Sequence, residues 1–361
     1  MKKKNSIVLY LLDKIHQGDS SIVKKTADAF DITPATIYKY IDELIGKKVL
    51  EKKMRGKYEL VKKYKAFFLK RSAGELSSEQ VIFDKYIKPE ISELPKNVIE
   101  IWEYIIGEMV NNIIDHSSAE NVYIMLVSDY LNTRILLCDD GIGIFEKIKA
   151  YFDLDTIDDA VSELFKGKVT TDSANHSGEG IFFSSRIADN FAIISSDKIF
   201  THNKFEIDSL NDFPNADLPN NGTCVIVDLS NWTKKKTADV FIEYEDDNGD
   251  FIKTKISIGS YFDGSPVSRS QAKRLCNRLN NFKQIELDFD GIEWMGQVCR
   301  PDCRSRLRNR EGPSVRFHNI RLRIRNSRCR RNRGHQDYGR IHGISRQWSI
   351  YVLWCPALQV P

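Results

Sequence analysis

The stretch GEMVNNIIDHS, Gly107 to Ser117, has to satisfy two faces of one helix at once. At helical spacing Ile106, Met109, Val110 and Ile113 form an apolar stripe that needs a core. Glu108, Asn112 and then Asp115 or His116 fall on a second face, one turn apart. A solvated face ordinarily carries Lys and Glu pairs. This one is carboxylate and amide rich and holds no Lys, which raises the question of whether it meets water or a ligand.

The sequence downstream bears on that question. NVYIMLVSDY and TRILLCDD read as strands, and the second runs into a glycine turn, DDGIGIF. About 30 residues later HSGEGIFFSSRIADNF supplies a second glycine turn that opens a helix, and GTCVIVDLS reads as a strand starting at Gly222 and Thr223. One glycine turn is weak evidence. An ordered set behind a helix with Glu and Asn one turn apart is stronger, because the chemistry is coherent. Mg²⁺ on a nucleotide takes oxygen ligands and keeps waters, so the Asn112 amide oxygen suits it. Glu108, on the same face, is placed to take a proton from a water or hydroxyl. Gly141, Gly143, Gly178 and Gly180 allow backbone to approach a ligand closely, and a helix opening after Gly180 turns N–H groups toward phosphate. Asp139, ending a strand, can accept from a base amino group.

These residues resemble the GHKL ATP-binding superfamily of gyrase-type topoisomerases, ninety-kilodalton heat-shock chaperones, MutL and histidine kinases. Its box E-x-x-x-N-x-x-D matches Glu108, Asn112 and Asp115; D-x-G-x-G matches Asp139, Gly141 and Gly143; G-x-G matches Gly178 and Gly180; the late Gly-Thr matches Gly222 and Thr223. The resemblance covers about residues 90–232. It implies an α/β sandwich of a mixed sheet with helices on one face, ATP and Mg²⁺ as ligands, Asp139 at adenine, Asp115 as an orienting group, and residues 146–177 as a mobile lid. Within that lid Lys166, Lys168, Thr170, Thr171 and His176 are either phosphate contacts or simply solvated. Position 113, commonly small in the family, is Ile. Residues 66–107 hold no histidine, so autophosphorylation on histidine is not expected.

Charge divides the chain. Net charge is +8 over residues 1–65, −16 over 66–297 and +12 over 298–361, within a total of +4. Only the basic head suits a polyanion. Its pattern predicts helices over Ser6–His16 and Ser21–Phe30, then a third capped by Thr33 with Pro34 at its first position and Ile37, Ile41, Leu44 and Ile45 inward. KKVLEKKMRGKYELVKK follows as two short strands about Gly56. This resembles the winged helix-turn-helix of bacterial regulators, which implies DNA contact through residues 5–63: Thr36 and Lys39 toward bases, Lys52, Lys53, Arg55 and Lys57 on phosphates. A dimerisation or protein-docking domain with a solvated Lys face is the other reading.

Residues 66–89 read as a linker, 90–235 as the nucleotide domain, and 236–297 as acidic strand-like sequence followed by a helix, capped by Ser268 or Ser270 with Ala272, Leu275, Leu279 and Phe282 inward, and a strand QIELDFDG. This last unit resembles the STAS-like domain that follows GHKL modules in bacterial proteins, there continuing past Gly296 and Gln297 into an apolar and acidic helix. Here usage switches instead. All 32 lysines lie at or before Lys283, whereas 15 of 22 arginines and four of seven cysteines lie beyond Gln297. A reading frame shifted near Gln297 accounts for that better than an Arg-rich nucleic-acid tail; Cys299 and Cys303 have no second pair at zinc spacing.

No run of about 18 apolar residues appears, and Asp13 and Lys14 break the basic, apolar start before any cleavage site. Cytoplasmic residence, without a membrane partner, is the expectation. Cys138, Cys224 and Cys276, distant in sequence and in apolar or helical settings, read as reduced buried thiols. The functional expectation is an ATP-dependent, DNA-binding regulator. Its alternatives are a protein serine/threonine kinase like the anti-sigma factors, which pair with STAS-type partners, and an ATP-gated scaffold without turnover.

Overall fold

A computed structural model describes residues 2–54, 56–169, 178–202, 221–262, 275, 278–290 and 292, together with the backbone of strand Ser314–His318. Three helices open the chain: α1 Lys2–His16, α2 Ile22–Phe30 and α3 Pro34–Gly46. Their apolar faces meet in one cluster, with Leu11, Leu12 and Ile37 at 0% exposure. The α3 start is as expected: the Thr33 hydroxyl accepts the Thr36 N–H at 3.4 Å and Pro34 occupies the first turn. A hairpin of β1 Leu50–Met54 and β2 Lys57–Leu60 closes the head, burying Leu50 and Leu60 in the same cluster.

The chain then passes directly into β3 Lys63–Lys70, the edge of a six-stranded sheet ordered β3-β4-β5-β8-β6-β7. The other strands are β4 Asn121–Ser128, β5 Asn132–Asp139, β6 Asn190–Ser195, β7 Lys198–Thr201 and β8 Thr223–Ser230. Two expectations are corrected here. Pairing is antiparallel throughout this sheet, not mixed. Residues 66–89 are not a linker either: they carry most of β3, then α4 Glu79–Ile82 and a π-helical turn Phe83–Ile87, which leads into α5 Lys88–Ile91. KYKAFFLK escapes a strand reading because, on an edge, only Leu69 is buried.

Alternation along the strands builds two apolar faces. Val122, Ile124 and Leu126 join the main core under the helices, whereas Met125, Val127, Leu136, Cys138, Cys224 and Ile226 form a second cluster on the other face. Cys138 and Cys224 are direct partners in the β5–β8 register, with Cα atoms 4.1 Å apart, and are joined as a disulfide. The expectation of isolated thiols fails because 86 residues of sequence separation become cross-strand neighbours. Cys276 lies outside the described residues.

Helix α6 Lys96–Asn112 packs on the sheet with Val98, Ile101, Trp102 and Ile105 at 0% exposure. The expected lid holds two helices, α7 Ile144–Tyr151 and α8 Ile157–Lys166, the second started by a capping box between Thr156 and Asp159. Helix α9 Gly180–Ile187 follows. The segment ADVFIEY, read as strand-like, is helix α10 Thr237–Tyr244. Its aromatic residues recur at helical spacing and pack on α9, with Phe183 and Phe241 ring centroids 4.6 Å apart. A parallel sheet, β11-β10-β9, completes the described chain: β9 Lys253–Ser257, β10 Gln284–Asp288 as expected from QIELDFDG, and β11 Ser314–His318. Helix α11 Ile258–Phe262 follows β9. Ser268, Ser270 and Ala272 fall outside the described residues, whereas Leu275, Leu279 and Phe282 are buried as expected. Among the described residues no helix is long and apolar enough to cross a membrane.

Candidate nucleotide site

A cavity of about 310 Å³ lies where the end of α6, the β5 terminus, the start of β8 and the α9 N-terminus converge. It is lined by Glu108, Asn112, Asp139, Gly178, Gly180 and Thr223, residues from four separate segments of the sequence. Asp115 is not among them and its side chain is exposed.

The reason lies in the helix itself. After Asn112 the α-helix widens into a π-helical turn, Ile113–Ser117, ended by Ser118 in the left-handed region. Such single turns are rare and concentrate at functional sites. In the wider turn each residue advances by a smaller angle, so His116 and not Asp115 returns to the stripe of Glu108 and Asn112. His116 does line the cavity.

The glycines bring the segments into contact. A Cβ on Gly141 would lie 2.2 Å from the Ser117 carbonyl oxygen, so the turn after β5 seats directly on the helix end. The Ile142 N–H donates to that same oxygen at 2.7 Å. A Cβ on Gly180 would lie 2.0 Å from Glu108 Oε2, which places the Glu108 carboxylate against the first residue of α9. Gly178 accepts the Val169 N–H at 3.1 Å and closes the cavity beside α8. Gly143 precedes α7, whose Ile144 N–H donates to the Thr223 hydroxyl at 3.0 Å. Thr223 in turn sits opposite Asp139 in the strand register.

Asp139 is 3% exposed, and burial pushes its carboxyl up to about 6. Hydrogen bonds from the Gly141 N–H, at 2.9 Å, and from the Thr223 backbone partly oppose the shift, and the neighbouring Asp140 adds to it. The Asp140 carboxylate meanwhile takes the backbone N–H groups of Glu120 and Asn121, each at 2.9 Å, and stays ionised. One buried acceptor therefore faces the cavity while its neighbour braces the strand ends. Tyr104, one turn before Glu108, is raised far above its ordinary value by burial and then by the Glu108 carboxylate.

Several lining residues escaped the sequence reading: Asn111, Ile142, Lys147, Ile148, Leu164 and Glu179. Lys147 and Ile148 had a signal, since a helix opening after Gly143 puts Ile144, Lys147 and Ile148 on one face. The Lys147 ammonium donates to the His116 carbonyl at 2.6 Å. The lid lysines are a correction. Lys166 is neither solvated nor in the cavity: it is 1% exposed, pairs with Glu163 at 2.7 Å, and its carbonyl accepts the Thr254 hydroxyl. Lys168 reaches over the rings of Phe251 and Phe282, and its carbonyl is held by Arg278 at 2.5 Å. Thr170, Thr171 and His176 lie outside the described residues. Ile113 is buried at the cavity wall.

On the head, Lys39, Lys52 and Lys57 are exposed, as is Ala35. Thr36 is half-buried, with its hydroxyl 3.0 Å from that of Thr33. Lys53 is held by Glu51 at 2.7 Å and Glu59 at 3.5 Å, so two carboxylates of its own hairpin compete for it. Arg55 is outside the described residues. The outer face of α3 also bears Asp42 and Glu43, the latter paired with Lys4 at 2.8 Å.

Among the described residues no group of three or more His, Cys, Asp or Glu side chains could by itself hold a metal ion. A magnesium ion on a nucleotide draws most of its shell from phosphates and water, and Asn112 offers an amide oxygen at the cavity wall, so the donor set fits that ion. No family model matches this chain, and no characterised protein does.

Proposed function

We propose that the chain is an ATP-binding regulator of the GHKL type whose head contacts DNA. The observation that supports the nucleotide reading is the meeting, in one cavity, of Glu108, Asn112, Asp139, Gly178, Gly180 and Thr223. Asp139 accepts from the adenine amino group; Asn112 holds a Mg²⁺ ion, which supplies charge neutralisation at the phosphates; the amides at the start of α9 face anionic oxygens. Glu108 sits against Gly180 at that helix start, where a carboxylate can take a proton from an attacking water. The head is a winged helix whose third helix enters the major groove, with Lys39, Lys52 and Lys57 carrying its positive charge.

Calorimetric titration with ATP and Mg²⁺ tests the site. Binding that Asn112→Ala abolishes and Glu108→Ala spares, with phosphate release lost in the second, supports the assignment; unchanged affinity in Asn112→Ala sinks it. Labelled phosphate on a partner protein rather than in solution turns the reading toward a kinase. For the head, gel retardation of duplex DNA should weaken with salt, and replacing Lys52 and Lys57 should flatten that dependence; salt-independent retention would overturn the DNA reading.

A further inference from the structure

The end of the Glu108 and Asn112 helix leaves carbonyl groups that no further helical turn can satisfy. The Ile113 carbonyl takes the hydroxyl of Ser117, within the same turn, at 2.8 Å, and groups from elsewhere in the chain reach the others. Ile142 N–H takes Ser117 O at 2.7 Å and the Lys147 ammonium takes His116 O at 2.6 Å. One side chain from the end of β3 reaches three carbonyls: Arg71 Nε donates to Ala119 O at 2.7 Å, and Arg71 Nη2 donates to Ile113 O at 3.1 Å, which it shares with the Ser117 hydroxyl, and to Ile114 O at 3.2 Å. Arg71 follows β3 directly, and its own N–H donates to Glu120 O at 2.9 Å, so it is anchored at the β3–β4 edge.

We propose that Arg71 is a positioning residue of the nucleotide site: its guanidinium holds the π-helical turn that keeps Asn112 and His116, rather than Asp115, on the cavity. This rests on the ATP-binding reading above. An α-helical continuation would hand the Ile113 and Ile114 carbonyls to the amides of Ser117 and Ser118. A guanidinium on both acceptors, joined at Ile113 O by the Ser117 hydroxyl, stabilises the wider turn instead, and its charge suits a helix C-terminus. Its fork reaches all three carbonyls from one plane, which an ammonium cannot do. Relaxation to the α-helical form would carry His116 off the stripe and turn Asp115 onto it, bringing a carboxylate toward the phosphates.

The test uses the full chain as wild type, Arg71→Lys and Arg71→Ala. Outer-shell partners of a ligand-holding group typically control affinity by 10–100-fold, so Arg71→Ala should weaken Mg-ATP binding by roughly that much. Adenosine, which engages Asp139 on a different element, should bind the variant almost as well as wild type. Arg71→Lys should not restore Mg-ATP affinity, whereas added guanidinium ion at low millimolar concentration should partly restore it in Arg71→Ala. Amide hydrogen exchange over residues 113–119 should quicken in both variants. Unchanged Mg-ATP affinity in Arg71→Ala overturns the proposal, as does an equal loss for adenosine, which would mean general destabilisation. A wild type that binds no Mg-ATP removes the ATP reading; the exchange rates then decide alone, and unchanged protection of residues 113–119 overturns the positioning role.

Discussion

Asp139→Asn should make the protein more stable while removing the acceptor that the nucleotide reading needs. The Asp139 carboxyl is buried, and its displacement from an ordinary 3.8 to about 6 corresponds to about 3 kcal/mol at about 1.4 kcal/mol per pH unit. The sign follows from proton counts. A carboxyl raised in the folded state binds its proton more tightly there than in the unfolded chain, so stability falls as pH rises from about 4 to about 6 and stays low above that. Asparagine keeps one oxygen, which the Gly141 and Thr223 N–H groups occupy, so none is left for a base, and it cannot ionise. The variant should therefore match wild type near pH 4, gain about half of the difference by pH 5, and exceed it by about 2–3 kcal/mol above pH 7. Urea unfolding at a series of pH values between 4 and 8 measures this directly, with the difference between the two proteins cancelling every other titrating group. A difference that is flat with pH, or a variant less stable than wild type at pH 8, would refute the reasoning. Calorimetry on the same samples should show adenine nucleotides binding the variant more weakly, so that stability and affinity move in opposite directions at one residue.

Other perturbations test the scaffold. Gly141→Ala must displace the Ser117 carbonyl, a backbone atom, and overpacking of this kind should cost about 1–3 kcal/mol in urea unfolding; a loss under about 0.5 would show that the turn can slide. Leu131, in the turn between β4 and β5, is buried in the head cluster. Leu131→Ala should cost about 2 kcal/mol or more and make residues 1–60 more susceptible to limited proteolysis than the sheet, whereas uniform susceptibility would mean that the head does not rely on this plug. Lys166→Met leaves the buried Glu163 carboxylate to Arg278 alone among the described residues, at 3.2 Å, and should cost about 1–3 kcal/mol, while Lys166→Met combined with Glu163→Leu should cost less than the sum of the two single changes; additive losses would mean that the pair is not coupled.

The boundary between what the sequence discloses and what it hides follows from how each feature is encoded. The head is legible because its signals are local: Thr33 before Pro34, and Ile37, Ile41 and Leu44 at helical spacing, are all found buried or capping as read. The cavity is legible because its glycines have no Cβ to fit beside Ser117 O or Glu108, so position and residue type are tied together. Pairing across long separations is not written locally. Neither the Cys138–Cys224 contact nor the β3–β4 edge can be inferred from spacing, since both depend on register between distant segments.

The lid lysines and Asp115 show a subtler failure, in which residue type suits the expected chemistry and geometry places the side chain elsewhere. A polar lysine in a long connection is ordinarily solvated, but α8 is amphipathic and its inner face extends to its last residue, so Lys166 goes inward with Glu163 and is covered by the segment around Thr254 and Tyr261. Asp115 fits the motif E-x-x-x-N-x-x-D only if the helix stays α-helical to its end. Periodicity arguments assume one angular step per residue, and a single π-helical turn changes that step for every residue beyond it. The information that overrides the motif sits more than 40 residues upstream, in the guanidinium of Arg71. A pattern confined to the helix could not have contained it, and that is why His116, read first as a cap, takes the position beside Asn112 that the motif gives to an aspartate.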